Sequence, residues 1–135
     1  MNKVIAIANQ KGGVGKTTTA VNIAASLAAT KRRTLLVDLD PQGNATTATG
    51  VDNLNSKTLY SHYFEKTPIN KCIQKTKDNY DVIPGSEELI ALEVSIRSDG
   101  NQAFLSKSLK DLESNYDYTI IDTPPTLNQL TIEGL

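Results

Sequence analysis

Short apolar segments alternate with a helical pattern along the first third of the chain. Residues 4–8 and 34–39 are almost continuously apolar, which is typical of strands buried on both faces of a parallel sheet. Between them, in residues 16–29, apolar side chains recur at helical spacing. Because a helix joins the two predicted strands, we expect them to run parallel as a right-handed βαβ unit.

The remainder of the chain continues this alternation. Residues 80–83 and 118–121 are predicted strands, and residues 86–96 and 102–114 are predicted helices. Ser86 precedes two glutamates, which suits the start of a helix. Strands that alternate with helices predict an α/β fold with a mainly parallel sheet.

The segment 43–78 is polar and carries weaker patterns. Short helices are predicted at residues 58–64 and 68–75. No repeat, low-complexity segment or linker interrupts the chain, so the pattern predicts one domain.

Composition narrows the class of protein. The chain has 135 residues, with 14 Lys and Arg against 15 Asp and Glu, so its charge gives no argument for nucleic acid or an anionic membrane. Its one cysteine, Cys72, excludes an internal disulfide, and with a single histidine it excludes a structural zinc site. No segment approaches the roughly 18 apolar residues of a membrane span. We expect a cytoplasmic protein without a membrane partner.

A glycine-rich segment lies between the first predicted strand and the first predicted helix. Backbone N–H groups of such a loop and of the helix N-terminus point at bound phosphates, and glycines permit their close approach. Lys16 would reach the β- and γ-phosphate oxygens, and the Thr17 hydroxyl would bind Mg²⁺. The residues expected to bind a nucleotide are Lys11, Gly12, Gly13, Val14, Gly15, Lys16, Thr17 and Thr18.

Two other interpretations of this segment are weaker. The general phosphate-binding pattern has glycine where this chain has Gln10, but the tighter string KGGxGK[ST] is complete, which argues against a simple glycine turn. A dinucleotide-binding loop could begin at Gly13 and use Asp38 for the ribose. It would require a third glycine where the chain has Thr18.

Three acidic residues follow predicted strands. Asp122 comes after four mostly apolar residues, the Walker B pattern, and is expected to help hold Mg²⁺. Asp38 and Asp40 end the second strand, at the sheet edge where α/β proteins bind ligands. One could approach the metal while the other orients the attacking water. The alternative is that these acids only cap loops.

These segments resemble the ParA/Soj branch of the deviant Walker A ATPases. Residues 9–19 (NQKGGVGKTTT), 38–46 (DLDPQGNAT) and 121–125 (IDTPP) are similar to that family's three nucleotide-site motifs, with Gln10 included. The resemblance implies a three-layer P-loop NTPase fold, with ATP and Mg²⁺ as cofactors.

The resemblance also implies roles for individual residues. Lys11 is similar to the family's extra lysine, which reaches the phosphates of a partner subunit, and Gly12 lies at the contact between subunits. Asp40 is similar to the carboxylate that supports hydrolysis, so the implied catalytic residues are Lys11, Lys16 and Asp40. The implied metal site comprises Thr17, Asp38 and Asp122.

At the level of the whole protein, the resemblance implies an ATP-dependent homodimer that partitions plasmids or chromosomes. Its implied partners are non-specific DNA of the nucleoid and a ParB-type protein that stimulates hydrolysis. The family continues beyond residue 135, so residues 1–135 are expected to form the N-terminal part of a single P-loop ATPase domain. Two alternatives remain open: a nucleotide-binding or interaction module without turnover, and a MinD-like relative with other cargo.

Overall fold

The computed structural model describes residues 2–8, 14–51 and 57–123, and for residues 8 and 14–18 it describes the backbone alone. The strands are β1 (Lys3–Ala8), β2 (Thr34–Asp38), β3 (Gln74–Lys75), β4 (Asp81–Ile83) and β5 (Tyr118–Thr123). The helices are α1 (Val14–Ala29), α2 (Asn44–Thr49), α3 (Leu59–Phe64), α4 (Glu88–Asp99) and α5 (Phe104–Lys110), with a 3₁₀ turn at Ile69–Cys72. No helix in these described ranges is long and apolar enough to cross a membrane.

The described strands form one mainly parallel sheet in the order β1-β5-β2-β4-β3. Only β3 runs antiparallel, against β4. The predicted strands and α1 are confirmed, and so is the parallel direction of β1 and β2. These two strands are not neighbours, however, because β5 lies between them and pairs with both.

Helices cover the two faces of the sheet. On one face, three small residues of α1, namely Ala20, Ala24 and Ala28, pack with Leu36 of β2 and Ile120 of β5. Alanines on the buried stripe let the helix lie close to the strands. This face also carries the site described below.

The other face is covered by α3, α4 and α5. Leucines and isoleucines of these helices pack against Leu35, Val37, Ile83 and Ile121 of the sheet. The result is a three-layer α/β fold, as expected.

The burial expected for the first strand is wrong. Val4 is 42% exposed, whereas Ile5 and Ile7 are partly buried against the α1 layer. In the described sheet β1 pairs only with β5, and the core of the α3–α5 face contains no β1 side chain. An edge strand with one covered face can therefore carry the same apolar run as a central strand.

The polar segment differs most from its prediction. The helix at 58–64 is confirmed as α3, but 68–75 forms a short 3₁₀ turn followed by β3. Sequence patterning missed α2, whose six residues are NATTAT. This helix lacks an apolar stripe, and left-handed glycines flank it, with φ values of 66° at Gly43 and 80° at Gly50. The last helix ends at Lys110, earlier than the predicted residue 114.

Candidate functional site

Two acidic residues meet on neighbouring strands at the carboxyl edge of the sheet. Asp38 of β2 and Asp122 of β5 are paired in the parallel register. Side chains alternate along a strand, so these carboxylates lie on the face that carries Leu36 and Ile120, the α1 face. Both acidic residues are fully buried. The sequence predicts that both acids lie at the carboxyl ends of strands, and the structure brings these two strand ends together; their role in metal binding stays a prediction.

The start of α1 lies at the same edge of the sheet. Strand β1 ends at Ala8 and α1 begins at Val14, so the strand and the helix occur in the expected order. Lys11, Gly12 and Gly13 lie outside the described residues, as do the side chains of residues 14–18. Because β1 is parallel to β5, its carboxyl end is next to that of β5, and the chain passes from there into α1.

Hydrogen bonds hold both oxygens of the Asp38 carboxylate. Its Oδ1 accepts from the backbone N–H of Asp40 at 2.9 Å. Its Oδ2 accepts from the backbone N–H of Thr46 at 2.9 Å and from the Thr46 hydroxyl at 2.6 Å. Burial raises the pKa of Asp38 to about 6, although these hydrogen bonds oppose the rise, and the charge of Asp122 adds to it. A cation beside this pair would favour the charged form of the carboxyl group.

The loop after β4 closes over Asp38. The Gly85 backbone N–H donates to Thr46 Oγ1 at 2.8 Å. A Cβ atom on Gly85 would lie 2.8 Å from Asp38 Cγ and from the carbonyl oxygens of Asp38 and Asp40. The sequence patterns predict no role for Gly85 or Thr46. Two features of the sequence could have pointed to these residues: the Pro-Gly pair that follows β4, and the threonine within the segment 38–46.

Asp40 shapes the loop that leads into α2. Its Oδ1 accepts from the Gln42 backbone N–H at 2.9 Å, and its Oδ2 accepts from Asn44 Nδ2 at 3.1 Å. Its backbone carbonyl accepts from the Gly43 N–H at 2.8 Å. Asp40 is 7% exposed, unlike the fully buried Asp38. The three hydrogen bonds show that Asp40 caps this loop. Asp40 is also the more exposed of the two residues.

The donor chemistry of the edge fits Mg²⁺. Carboxylate oxygens are hard ligands, and Mg²⁺ is usually held by one or two carboxylates together with substrate phosphates and water. Across the described parts of the chain, no group of three or more His, Cys, Asp or Glu could form a complete metal cage. A carboxylate pair at this edge suits a metal whose remaining ligands are phosphate oxygens and water.

A mainly parallel sheet, a glycine-rich segment that leads into α1, and two buried acids on adjacent strands define a P-loop NTPase fold. The family model described as AAA domain (AAA_31) matches residues 2–135. The chain belongs to this family.

Individual relatives confirm the resemblance to ParA and Soj proteins. The chain is 46% identical to the chromosome partitioning protein ParA of Myxococcus xanthus, over all of this chain and 49% of the relative. It is 44% identical to the sporulation initiation inhibitor protein Soj of Bacillus subtilis, over all of this chain and 54% of the relative. The chain thus spans about half the length of these relatives.

A solved structure shows the same fold. The cobyrinic acid a,c-diamide synthase of Mycobacterium smegmatis, with a bound ATP analogue and magnesium, superposes with a TM-score of 0.90 at 36% identity. The match covers all of this chain and 56% of that protein.

Proposed function

We propose that this chain is the N-terminal part of a ParA-type switch, which binds and hydrolyses ATP with Mg²⁺, dimerises with ATP and partitions plasmids or chromosomes. The observation that carries the proposal is the pair of buried carboxylates, Asp38 and Asp122, at the edge where α1 begins. Similarity to proteins named ParA and Soj supports the biological role.

Residues of the glycine-rich segment would bind the nucleotide. Backbone N–H groups of residues 11–18 would hold the phosphates, and Lys16 would contact the β- and γ-phosphate oxygens. Thr17, Asp38 and Asp122 would hold Mg²⁺, which offsets the charge of the phosphate oxygens when it is bound. The ATP analogue and magnesium in the similar synthase support these cofactors.

Asp40 is the residue we propose for positioning the attacking water. Asp40 is slightly more exposed than Asp38, and its carboxylate is oriented by Gln42 and Asn44. Lys16 and the partner subunit's copy of Lys11 would stabilise the negative charge that develops on the phosphate oxygens. This second cation explains why hydrolysis would depend on an ATP-bound homodimer. A ParB-type protein and non-specific DNA would be its further partners, at the nucleoid in the cytoplasm.

Nucleotide binding is the first part of this proposal to test. Titration calorimetry with a non-hydrolysable ATP analogue and Mg²⁺ should show binding by the wild-type chain, and Lys16→Ala should abolish it. Lys107→Ala is the matched control, because Lys107 is exposed on α5, on the opposite face of the sheet. Equal affinity of the Lys16→Ala and Lys107→Ala variants would contradict the phosphate-binding role of Lys16. A wild-type chain that binds no nucleotide would overturn the proposed function for this chain.

A measurement of ATP hydrolysis distinguishes the proposed switch from the alternative, a nucleotide-binding module without turnover. Phosphate release, measured with DNA and a ParB-type partner present, should fall by at least about 100-fold in Asp40→Ala, while affinity for the ATP analogue changes by only a few-fold. Asp111→Ala, an exposed change beyond the end of α5, serves as control. Nucleotide binding without measurable turnover would favour the module, and full turnover by Asp40→Ala would overturn the role of that carboxylate.

A further inference from the structure

Asp38 depends on a hydroxyl group from α2. We propose that Thr46 is a positioning residue that orients the Asp38 carboxylate for Mg²⁺ binding, and that the loop after β4 sets the direction of the Thr46 hydroxyl. The inference rests on the proposed function, because it assigns Asp38 to the Mg²⁺ site. It concerns contacts between the end of β2, α2 and the loop after β4, and Gly85 of that loop lies 39 positions from Thr46.

The contact between Thr46 and Asp38 is short and buried. Thr46 is 1% exposed, and its hydroxyl lies 2.6 Å from Asp38 Oδ2. Hydrogen bonds to a carboxylate are shorter and stronger than those between neutral groups. The backbone N–H of Thr46 donates to the same oxygen at 2.9 Å, so one residue makes two contacts with Asp38.

Gly85 determines which way the Thr46 hydroxyl points. A backbone N–H can only donate, so Thr46 Oγ1 must be the acceptor in its 2.8 Å contact with Gly85. A hydroxyl has one proton to donate, and Asp38 Oδ2 is the acceptor placed to receive it. The chain of donors therefore runs from Gly85 through Thr46 to Asp38.

These contacts leave little choice of direction for a further ligand of Asp38. An ionised carboxylate has about four acceptor positions. Within the described part of the chain, three are occupied by the Thr46 hydroxyl, the Thr46 N–H and the Asp40 N–H. The remaining position would be available to Mg²⁺ or to a water bound to it. Loss of the Thr46 hydroxyl would leave Oδ2 with the Thr46 N–H as its one remaining described donor, so the carboxylate would be held less firmly, and it would remove the acceptor of the Gly85 N–H.

The chain contains a matched control on the same helix. Thr49 is also buried, and its hydroxyl donates to the Thr46 backbone carbonyl at 2.6 Å. Removing this hydroxyl deletes a comparable buried hydrogen bond without deleting a contact to Asp38. Thr49→Val therefore reports the effect of lost stability in α2 alone.

The experiment measures how much Mg²⁺ strengthens nucleotide binding. For each variant, affinity for the non-hydrolysable ATP analogue is measured with Mg²⁺ and with EDTA, and the ratio of the two is compared with the wild type. We expect Thr46→Val to lower this ratio by about tenfold, as is typical when the residue that orients a metal ligand is lost. Thr46→Ser keeps the hydroxyl and should stay within about twofold of the wild type. Thr49→Val should also keep the wild-type ratio.

The outcomes separate this inference from the proposed function. If the wild type binds the analogue with a Mg²⁺-dependent gain and a folded Thr46→Val keeps that gain, the positioning role is overturned while the proposed function stands. An equal loss in Thr46→Val and Thr49→Val also overturns it, because lost stability then explains both. If the wild type binds no nucleotide, the proposed function is overturned and the inference with it. Should Thr46→Val fail to fold, Thr46→Cys takes its place, because a thiol is a weaker donor of similar size.

Discussion

At the scale of single residues, Gly85 shows how closely two loops approach at the candidate site. A Cβ atom added to Gly85 would point at the Asp38 carboxylate and at the backbone that leads to Asp40. A side chain there would meet two carbonyl oxygens and Asp38 Cγ, each 2.8 Å from the Cβ position. Backbone atoms move less readily than the end of a flexible side chain. The glycine is therefore needed for space, whereas Gly50 is needed for its positive φ.

Gly85→Ala should lower the free energy of unfolding by about 1–3 kcal/mol, the usual cost of forcing extra volume into a packed site. It should also weaken binding of the ATP analogue, because the displaced loop carries the donor to Thr46. Gly50→Ala is the control, since it costs about 1–2 kcal/mol through its left-handed backbone and meets no atom within 4 Å of the added Cβ. Urea unfolding and calorimetry measure the two effects. Unchanged nucleotide affinity in Gly85→Ala would show that the loop does not support the site.

At the scale of elements, α4 has one buried face and one exposed face. Leu89, Leu92 and Ile96 are buried in the core on the α3–α5 face of the sheet. In contrast, Ile90 and Val94 are 57% and 60% exposed. All five residues are apolar, so hydrophobicity alone does not show which face is buried. Spacing favours the 89-92-96 stripe, because it follows the helical period. The packing partners of that stripe, in α5 and β2, come from distant parts of the sequence.

Two truncations on α4 should therefore differ in cost. Leu92→Ala should lower the free energy of unfolding by about 2–4 kcal/mol, because it leaves a cavity in the core. Ile90→Ala should change it by no more than about 0.5 kcal/mol, as is usual for a surface position. Urea unfolding at constant m-value measures both. Similar costs for the two variants would mean that α4 packs by a different face.

At the scale of the whole molecule, Cys72 reports on the integrity of the fold. It is the only cysteine of the chain and is fully buried. Its thiol donates to the Thr58 carbonyl at 3.3 Å, and burial raises its pKa to about 11. Because the pKa of the thiol is higher in the folded chain, its protonation contributes to folding stability. That contribution is fully present below the pKa of the unfolded thiol, near 9. That contribution is lost as the pH rises from about 9 towards 11.

Alkylation of Cys72 should therefore follow unfolding. At pH 8.5, iodoacetamide should modify the native chain at least about 100-fold more slowly than the urea-unfolded chain, because the raised pKa suppresses the reactive thiolate. Mass spectrometry measures the two rates, and Cys72→Ser shows that no other residue is modified. Comparable rates in the two states would contradict the burial of this thiol.

Much of the fold follows from local sequence patterns. Apolar runs predict β2, β4 and β5, helical spacing predicts α1 and α4, and the strand ends at Asp38 and Asp122 place two acids at one edge of the sheet. These features depend on residues close together in sequence, so the amino-acid pattern is sufficient. The roles of residues 11–18 remain predictions, since their side chains lie outside the described residues.

Only the tertiary structure decides which distant segments meet. It inserts β5 between β1 and β2, which brings Asp122 beside Asp38. It forms α2 from a polar segment without helical periodicity, and within α2 the Thr46 N–H and hydroxyl donate to Asp38. It also places Gly85 against both loops. These contacts join residues up to 115 positions apart, as in the β1–β5 pair of Lys3 and Tyr118, and periodicity within one segment carries no information about such pairs.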